Sequence, residues 1–262
     1  MAEVLIIIPT HSNVETFENA VQSVLEQSFD DIEVQIIGDG ALPAIVEQAQ
    51  TFQQRDSRIS FHNYPKTIRR AEEHRHQAIV NSPAQFISYL ADDDLFLPHH
   101  VEYMRRQIGE FDFINPRPTF IDRNDVVWCT PTDIALESNR LWHLREDVQQ
   151  NSISLSGVMH TKMAYENLSE GWAPTPEGLW TDLHMWQKFF RNSHLSFKTS
   201  HRSTILKFLD FNNSFDQVKI DQNRKWFDRQ REVSFVAYWD EIVEVTHQRA
   251  AAEQFALLSQ PR

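Results

Sequence analysis

The sequence predicts an α/β fold, with a mostly parallel central sheet and helices on both faces, and three observations carry that prediction. Strand and helix signals alternate over the first hundred residues, the rhythm of right-handed βαβ units. The opening signal, Val4-Leu5-Ile6-Ile7-Ile8-Pro9, is continuously apolar rather than alternating, as in a strand covered on both faces. Pro9-Thr10-His11, Asp39 and Asp92-Asp93-Asp94 then fall at carboxyl ends of expected strands, where open α/β sheets hold their ligands.

After the first strand, residues 14–27 place Phe17, Val21, Val24 and Leu25 on one helical stripe. Residues 32–37 return to strand and end at Gly38-Asp39-Gly40. The spacing then predicts a helix over 42–54, a short strand over 58–62, a polar helix over 68–80 and a strand over 86–90. Past Pro98 the rhythm loosens into a helix over 99–108, an apolar strand-like stretch over 111–121, and mixed strand and loop to about 158. Residues 159–168 look helical and 171–178 form a Pro/Gly loop. A helix over 181–190 has Met185, Trp186, Phe189 and Phe190 on its apolar side, and residues 203–208 read as a strand. From 217 onward the pattern is helical, with Trp226, Phe227, Phe235, Trp239 and Ile242 as anchors. The expected organisation is a domain over 1–215, with halves 1–97 and 98–215, and a C-terminal helical extension over 216–262.

Composition narrows the function. The formal charge is −12, so the average surface repels a polyanion, and no basic stripe supports binding of a nucleic acid. Only six glycines are present, which argues against a glycine-rich phosphate loop. Cys129 is the sole cysteine, which excludes an internal disulfide and suits a reducing compartment. With no apolar run of membrane-spanning length and no basic leader, the expectation is a cytoplasmic protein that reaches any membrane-bound acceptor as a peripheral visitor. The C-terminal helices are expected either to cover an acceptor side or to form the seam of a homodimer.

Three consecutive carboxylates at a strand end repel one another, by roughly 4 kcal/mol per pair at about 4 Å and an effective dielectric near 20. A divalent cation shared with substrate phosphates relieves that repulsion; a solvated acidic turn before the helix after Pro98 is the other reading. Asp39, between two glycines, either accepts bonds from a nucleoside or belongs to an ordinary Asp-Gly turn. Pro9-Thr10-His11 offers a hydroxyl and a ring to a base, or is a capping loop with Asn13 as N-cap. The cations of residues 69–76 read mainly as a solvated helix face. Trp172, Trp180 and Trp186 either stack on a sugar or anchor the core.

Together, Val4-Leu5-Ile6-Ile7-Ile8-Pro9-Thr10, Ala20-Val21-Gln22-Ser23-Val24-Leu25-Glu26-Gln27-Ser28 and Ile36-Ile37-Gly38-Asp39-Gly40 resemble the start of family 2 glycosyltransferases of the GT-A fold. The run Ile87-Ser88-Tyr89-Leu90-Ala91-Asp92-Asp93-Asp94-Leu95-Phe96-Leu97-Pro98 is similar to their metal-binding D-x-D segment. The resemblance implies a nucleotide-diphospho-sugar donor, UDP-linked by preference, and Mn2+ or Mg2+ as cofactor. Pro9, Thr10 and His11 would line the base pocket, with Asp39 on base or ribose, Arg75 near the phosphates and Asp92 on the ribose. Asp93 would ligate the metal, with Asp94 as a second contact. Two departures stand out: Ala91 replaces the first acid of D-x-D, and His76 stands where many members carry asparagine.

A second block, residues 171–190, resembles the family's acceptor segment, in which an acid at a helix start serves as base; Asp182 matches it, with Glu177 as competitor. The implied function is inverting transfer of a sugar to a hydroxyl of a glycan, a lipid-linked or a small-molecule acceptor. The rival readings are a nucleotide-sugar-binding protein without transfer activity, which Ala91 and His76 motivate, and a nucleotidyltransferase, whose usual glycine-rich first loop is absent.

Overall fold

The computed structural model describes residues 2–209 and 216–258, so the last residues of the expected second half (210–215) and of the C-terminal extension (259–262) lie outside the described residues. The first half follows the expected order: β1 (Val4–Thr10), α1 (Val14–Leu25), β2 (Ile32–Asp39), α2 (Pro43–Arg55), β3 (Ile59–Tyr64), α3 (Glu72–Asn81) and β4 (Phe86–Tyr89). The side chains of β1 alternate between two cores. Val4, Ile6 and Ile8 pack with Phe17, Val21 and Val24 of α1 on one face. Leu5 and Ile7 pack with Ile79 of α3, Tyr89 and Trp186 on the other. Coverage on both faces is the physical reason for the unbroken apolar run.

One boundary moves. The helix expected over 68–80 starts only at Glu72, because Ala71 takes a left-handed backbone (φ 58°) that a right-handed helix cannot continue. Its N–H is instead held by Thr67 Oγ1 at 2.9 Å.

The second half contains β5 (Leu95–Phe96), α4 (His100–Ile108), β6 (Phe113–Asn115), β7 (Thr119–Ile121), β8 (Val127–Cys129), α5 (Glu137–His143), β9 (Met159–Thr161), α6 (Lys162–Glu166), α7 (Thr181–Phe190), β10 (Phe197–Thr199) and β11 (Ile205–Leu206). The strand-like stretch at 111–121 is split by Pro116 and Pro118, which bring no N–H to a ladder, into β6 and β7. Residues 159–168 are a correction. Met159–Thr161 is a strand, antiparallel to both β4 and β6, and only Lys162–Glu166 is helical. Backbone polar groups buried between two strands need ladder partners, and that requirement overrides helix propensity. Thr161 marks the switch, its side chain capping α6 through Ala164 N at 3.0 Å.

The main sheet runs β10-β6-β9-β4-β1-β2-β3, and every adjacent pair is parallel except the two that involve β9. Two small ladders, β5 with β11 and β7 with β8, complete the strands among the described residues. Two helices, α8 (Gln217–Arg229) and α9 (Phe235–Leu258), close the described chain. Trp226, Phe227, Phe235 and Trp239 are buried as expected, but the next anchor is Val243; Ile242 is only half-buried. These residues share a third core with Leu95, Leu97, Leu206 and Phe208, so the C-terminal helices pack directly on the strands that follow the acidic triplet.

Candidate active site

Strand register brings the first site residues together. β1 and β4 pair with Ile7 opposite Tyr89, so three residues further along Thr10 comes level with Asp92. On the other side of β1, Thr10 pairs with Gly38, which puts Asp39 just beyond. The side chains complete what the register begins. Thr10 Oγ1 donates to Asp92 Oδ2 at 2.7 Å, Asn13 Nδ2 to Asp92 Oδ1 at 2.7 Å, and Thr16 Oγ1 to the Asp92 carbonyl at 2.9 Å. Asn13 therefore stands at the N-cap position without capping α1; its amide is spent on Asp92. Burial, and after it the charge of Asp93, push the Asp92 carboxyl up to about 7 despite these bonds.

Asp39 is buried and doubly held, by Lys66 Nζ on Oδ2 at 2.5 Å and by Thr67 N on Oδ1 at 2.6 Å. Burial raises its pKa, but the bonds from Lys66 and Thr67 outweigh that and hold it below the usual carboxylate value. The His11 ring shares a hydrogen bond between Nδ1 and the Asp39 carbonyl at 2.8 Å, tying the ends of β1 and β2 together. Pro9 lies within β1, opposite Ile37. Gly40, at φ 64°, turns the chain sharply after Asp39, a backbone that favours glycine.

Arg75, expected near the phosphates, is packed beneath the lip. It is buried, its Nη2 donates to the Arg70 carbonyl at 2.6 Å, and its guanidinium lies 4.7 Å from the Trp172 ring centre. Burial pulls its pKa down to about 10. Arg70, like Lys66 of the same loop, is exposed. Trp172 and Trp186 are core residues, whereas Trp180 is half exposed beside Asp182. Arg69 reaches across to the Leu179 carbonyl at 2.9 Å, so the loop after β3 touches the loop before α7.

Asp182 sits in the first turn of α7. Burial raises its pKa; the bond from Leu183 N at 2.8 Å and the charges of Lys207 and Arg70 oppose this without cancelling it. Lys207 is also the partner of Asp94, which brings Asp182 to the same end of the sheet as the triplet. Its competitor Glu177 is exposed.

The remaining two aspartates differ from expectation. Asp94 is wholly buried, and its oxygens are engaged by Ser156 Oγ at 2.6 Å, Lys207 Nζ at 2.9 Å and Phe208 N at 3.2 Å. Register explains Lys207: β11 runs antiparallel to β5 with Leu206 opposite Leu95, so Lys207 falls level with Asp94. Asp93 receives Lys219 Nζ at 2.5 Å, and Asn223 Nδ2 donates to its carbonyl at 3.1 Å. Burial raises the Asp93 pKa, but Lys207 and Lys219 outweigh that and lower it. Hard divalent cations take six or more oxygen ligands. Here the two expected ligands carry ammonium groups instead, Lys207 on Asp94 and Lys219 on Asp93. The donor set does not fit a resident Mn2+ or Mg2+.

Lys66, Lys207, Lys219 and Asn223 were not legible as site residues. Lys207 follows a two-residue strand too short to show periodicity, and Lys219 lies among other polar residues of α8. Among the described residues, no helix is long and apolar enough to cross a membrane.

Comparison with known proteins places this geometry in context. The family model "Glycosyl transferase family 2" matches residues 5–167. A Rickettsia bellii (strain RML369-C) protein named "Uncharacterized glycosyltransferase" is 30% identical over 113 residues, 43% of this chain but only 16% of that protein, so the chain spans a small part of that relative's length. The crystal structure of S. aureus TarS 1-349 in complex with UDP-GlcNAc superposes with a TM-score of 0.64 at 12% identity, over 94% of this chain and 71% of that one. Mannosyltransferase PcManGT from Pyrobaculum calidifontis, in complex with GDP-Man and Mn2+, gives 0.55 at 12% identity, over 80% and 58%. At such identities the likeness is one of fold, and the fold is the expected GT-A architecture.

Proposed function

The chain belongs to glycosyl transferase family 2, and from that premise we propose that it transfers a sugar from a nucleotide-diphospho-sugar, with UDP as the favoured nucleotide, to an acceptor hydroxyl. The observation that carries this reading is the junction of Thr10, Asn13 and Asp92 across the ends of β1 and β4, with Asp39 beside it at the end of β2. Parallel sheets bind nucleotides at such strand ends. Thr10, His11 and Asp39 face the nucleoside, Asp92 the ribose, and Asp182 the acceptor. The donors held by TarS (UDP-GlcNAc) and PcManGT (GDP-Man) support the donor class.

The reaction is a single displacement. Asp182 takes the proton of the acceptor hydroxyl as its oxygen bonds to the anomeric carbon, and the bond from that carbon to the diphosphate oxygen breaks. Attack opposite the leaving group inverts the anomeric centre. An upward-shifted Asp182 is a stronger proton acceptor than an ordinary aspartate once ionised, which suits the role. A Mn2+ or Mg2+ ion on Asp93 and Asp94 is not proposed, because ammonium groups occupy those carboxylates.

A thermal-shift screen with UDP-, GDP- and dTDP-sugars tests the reading, since a ligand of the native state raises the unfolding midpoint. One nucleotide class is expected to raise it, and Thr10→Val is expected to weaken that shift. No response to any of the three would remove the transferase assignment.

A further inference from the structure

Two ammonium groups meet the acidic triplet, and independent constraints put them there. Lys207 is delivered by the antiparallel register of β11 on β5 and bonds Asp94 at 2.9 Å. Lys219 is delivered by α8 and bonds Asp93 at 2.5 Å. That helix is keyed to the site by Asn223, which donates to the Asp93 carbonyl at 3.1 Å and accepts from Asn19 of α1 at 2.8 Å. Asn223 is wholly buried, and Lys219 is only 9% exposed at its side chain, so neither is a loose surface contact.

Two unit charges equal the charge of one divalent ion, and these two stand on the carboxylates the family resemblance gave to a metal. A cation entering there would have to displace an ammonium from Asp93 while standing near a second one. An ammonium has three donor protons, so a lysine can bond a carboxylate and phosphate oxygens together, as a metal bridges them.

We propose that Lys219 and Lys207 neutralise the leaving diphosphate in place of a divalent cation, so that the donor binds and reacts without one. This rests on the transferase reading of the same site. In the transfer, the acceptor oxygen forms its bond to the anomeric carbon and gives its proton to Asp182. The broken carbon–oxygen bond leaves its electron pair on the diphosphate, and the two lysines meet that new charge.

The experiment is calorimetric titration of the full chain with UDP, GDP and dTDP, and with the matching free nucleosides, in EDTA and in Mn2+. One diphosphate is expected to bind in EDTA, with no tightening when Mn2+ replaces the chelator. Lys219→Gln should weaken that diphosphate roughly tenfold or more, the scale of a charge-assisted hydrogen bond, while leaving the nucleoside unchanged. Lys219→Arg should restore most of it. The EDTA-against-Mn2+ comparison uses the unaltered chain, so it decides the matter even if a variant fails to fold. Binding seen only with Mn2+ and abolished by Asp93→Asn would overturn this proposal and leave the transferase reading standing. Equal loss of nucleoside and diphosphate in Lys219→Gln would reduce Lys219 to a structural role and overturn its assignment. No binding of any diphosphate in either condition would overturn both.

Discussion

Three aspartates in succession take three different positions, and each follows from what its carboxylate touches. Asp92 faces the strand ends and is held by neutral donors, Thr10 and Asn13. Asp93 meets Lys219 from the C-terminal helix, and Asp94 points inward to Ser156, Lys207 and Phe208 N. Asp94 is therefore an anchor of β11 against the turn that precedes β5. Replacing it with alanine strands a largely buried ammonium, a loss of about 3–5 kcal/mol for a broken buried pair, to be read as a lower urea midpoint. Asp182→Asn makes a different kind of change. Under the proposed mechanism the proton acceptor is lost while the proposed nucleotide contacts remain, so turnover should fall by about a hundredfold or more at unchanged donor affinity. Turnover equal to that of the unaltered chain would take Asp182 out of the mechanism.

At the level of elements, β9 and the C-terminal helices govern how the site is supported. β9 enters antiparallel between β4 and β6, and its His160 takes up the Tyr89 hydroxyl at 2.8 Å, which in turn accepts from Trp172 Nε1 at 3.1 Å. The residues behind these strand ends are thus one bonded aromatic cluster. The C-terminal helices reach the site through the third core. Trp239 is fully buried, donates to the Ser203 carbonyl at 2.8 Å and packs against Trp226 and Phe235. Trp239→Ala should cost about 3–5 kcal/mol in denaturant unfolding. Because the same core holds Leu206 and Phe208 on either side of Lys207, nucleotide affinity should fall as well. Unchanged affinity in a destabilised variant would mean that the helices stabilise the fold without positioning the site.

Across the whole molecule, His100 and His160, two of three fully buried histidines among the described residues, set a dependence on pH. His100 lies against Phe96, bonds Thr204 through Nδ1 and has no partner at Nε2 among the described residues; burial depresses its pKa to about 3. His160, on β9 between β6 and β4, is depressed to about 4, again by burial. Both are neutral when folded, whereas the unfolded chain protonates them below the ordinary value of 6.5. Their stabilising effect is complete above pH 6.5 and declines as pH falls towards 4, by at most about 1.4 kcal/mol per histidine per pH unit. Urea midpoints at pH 7.5 and pH 5 should therefore differ, and His100→Gln should flatten the slope. A profile as steep in that variant as in the unaltered chain would exclude His100 as a source.

Apolar periodicity and strand-end placement were local signals, and from them alone came the parallel sheet, the succession of its first four strands along the chain, the helix over 181–190 and the placing of Thr10, Asp39 and Asp92 at strand ends. Each is written within a window of a few residues, where burial demands a particular side-chain pattern. Only the tertiary structure decided that Met159–Thr161 is a strand, that Arg75 lies beneath the lip, and that the aspartates carry Lys207 and Lys219. Those outcomes depend on groups up to 126 residues apart being brought into register by packing, and the pattern of neighbours along the chain holds no trace of which distant charge will arrive.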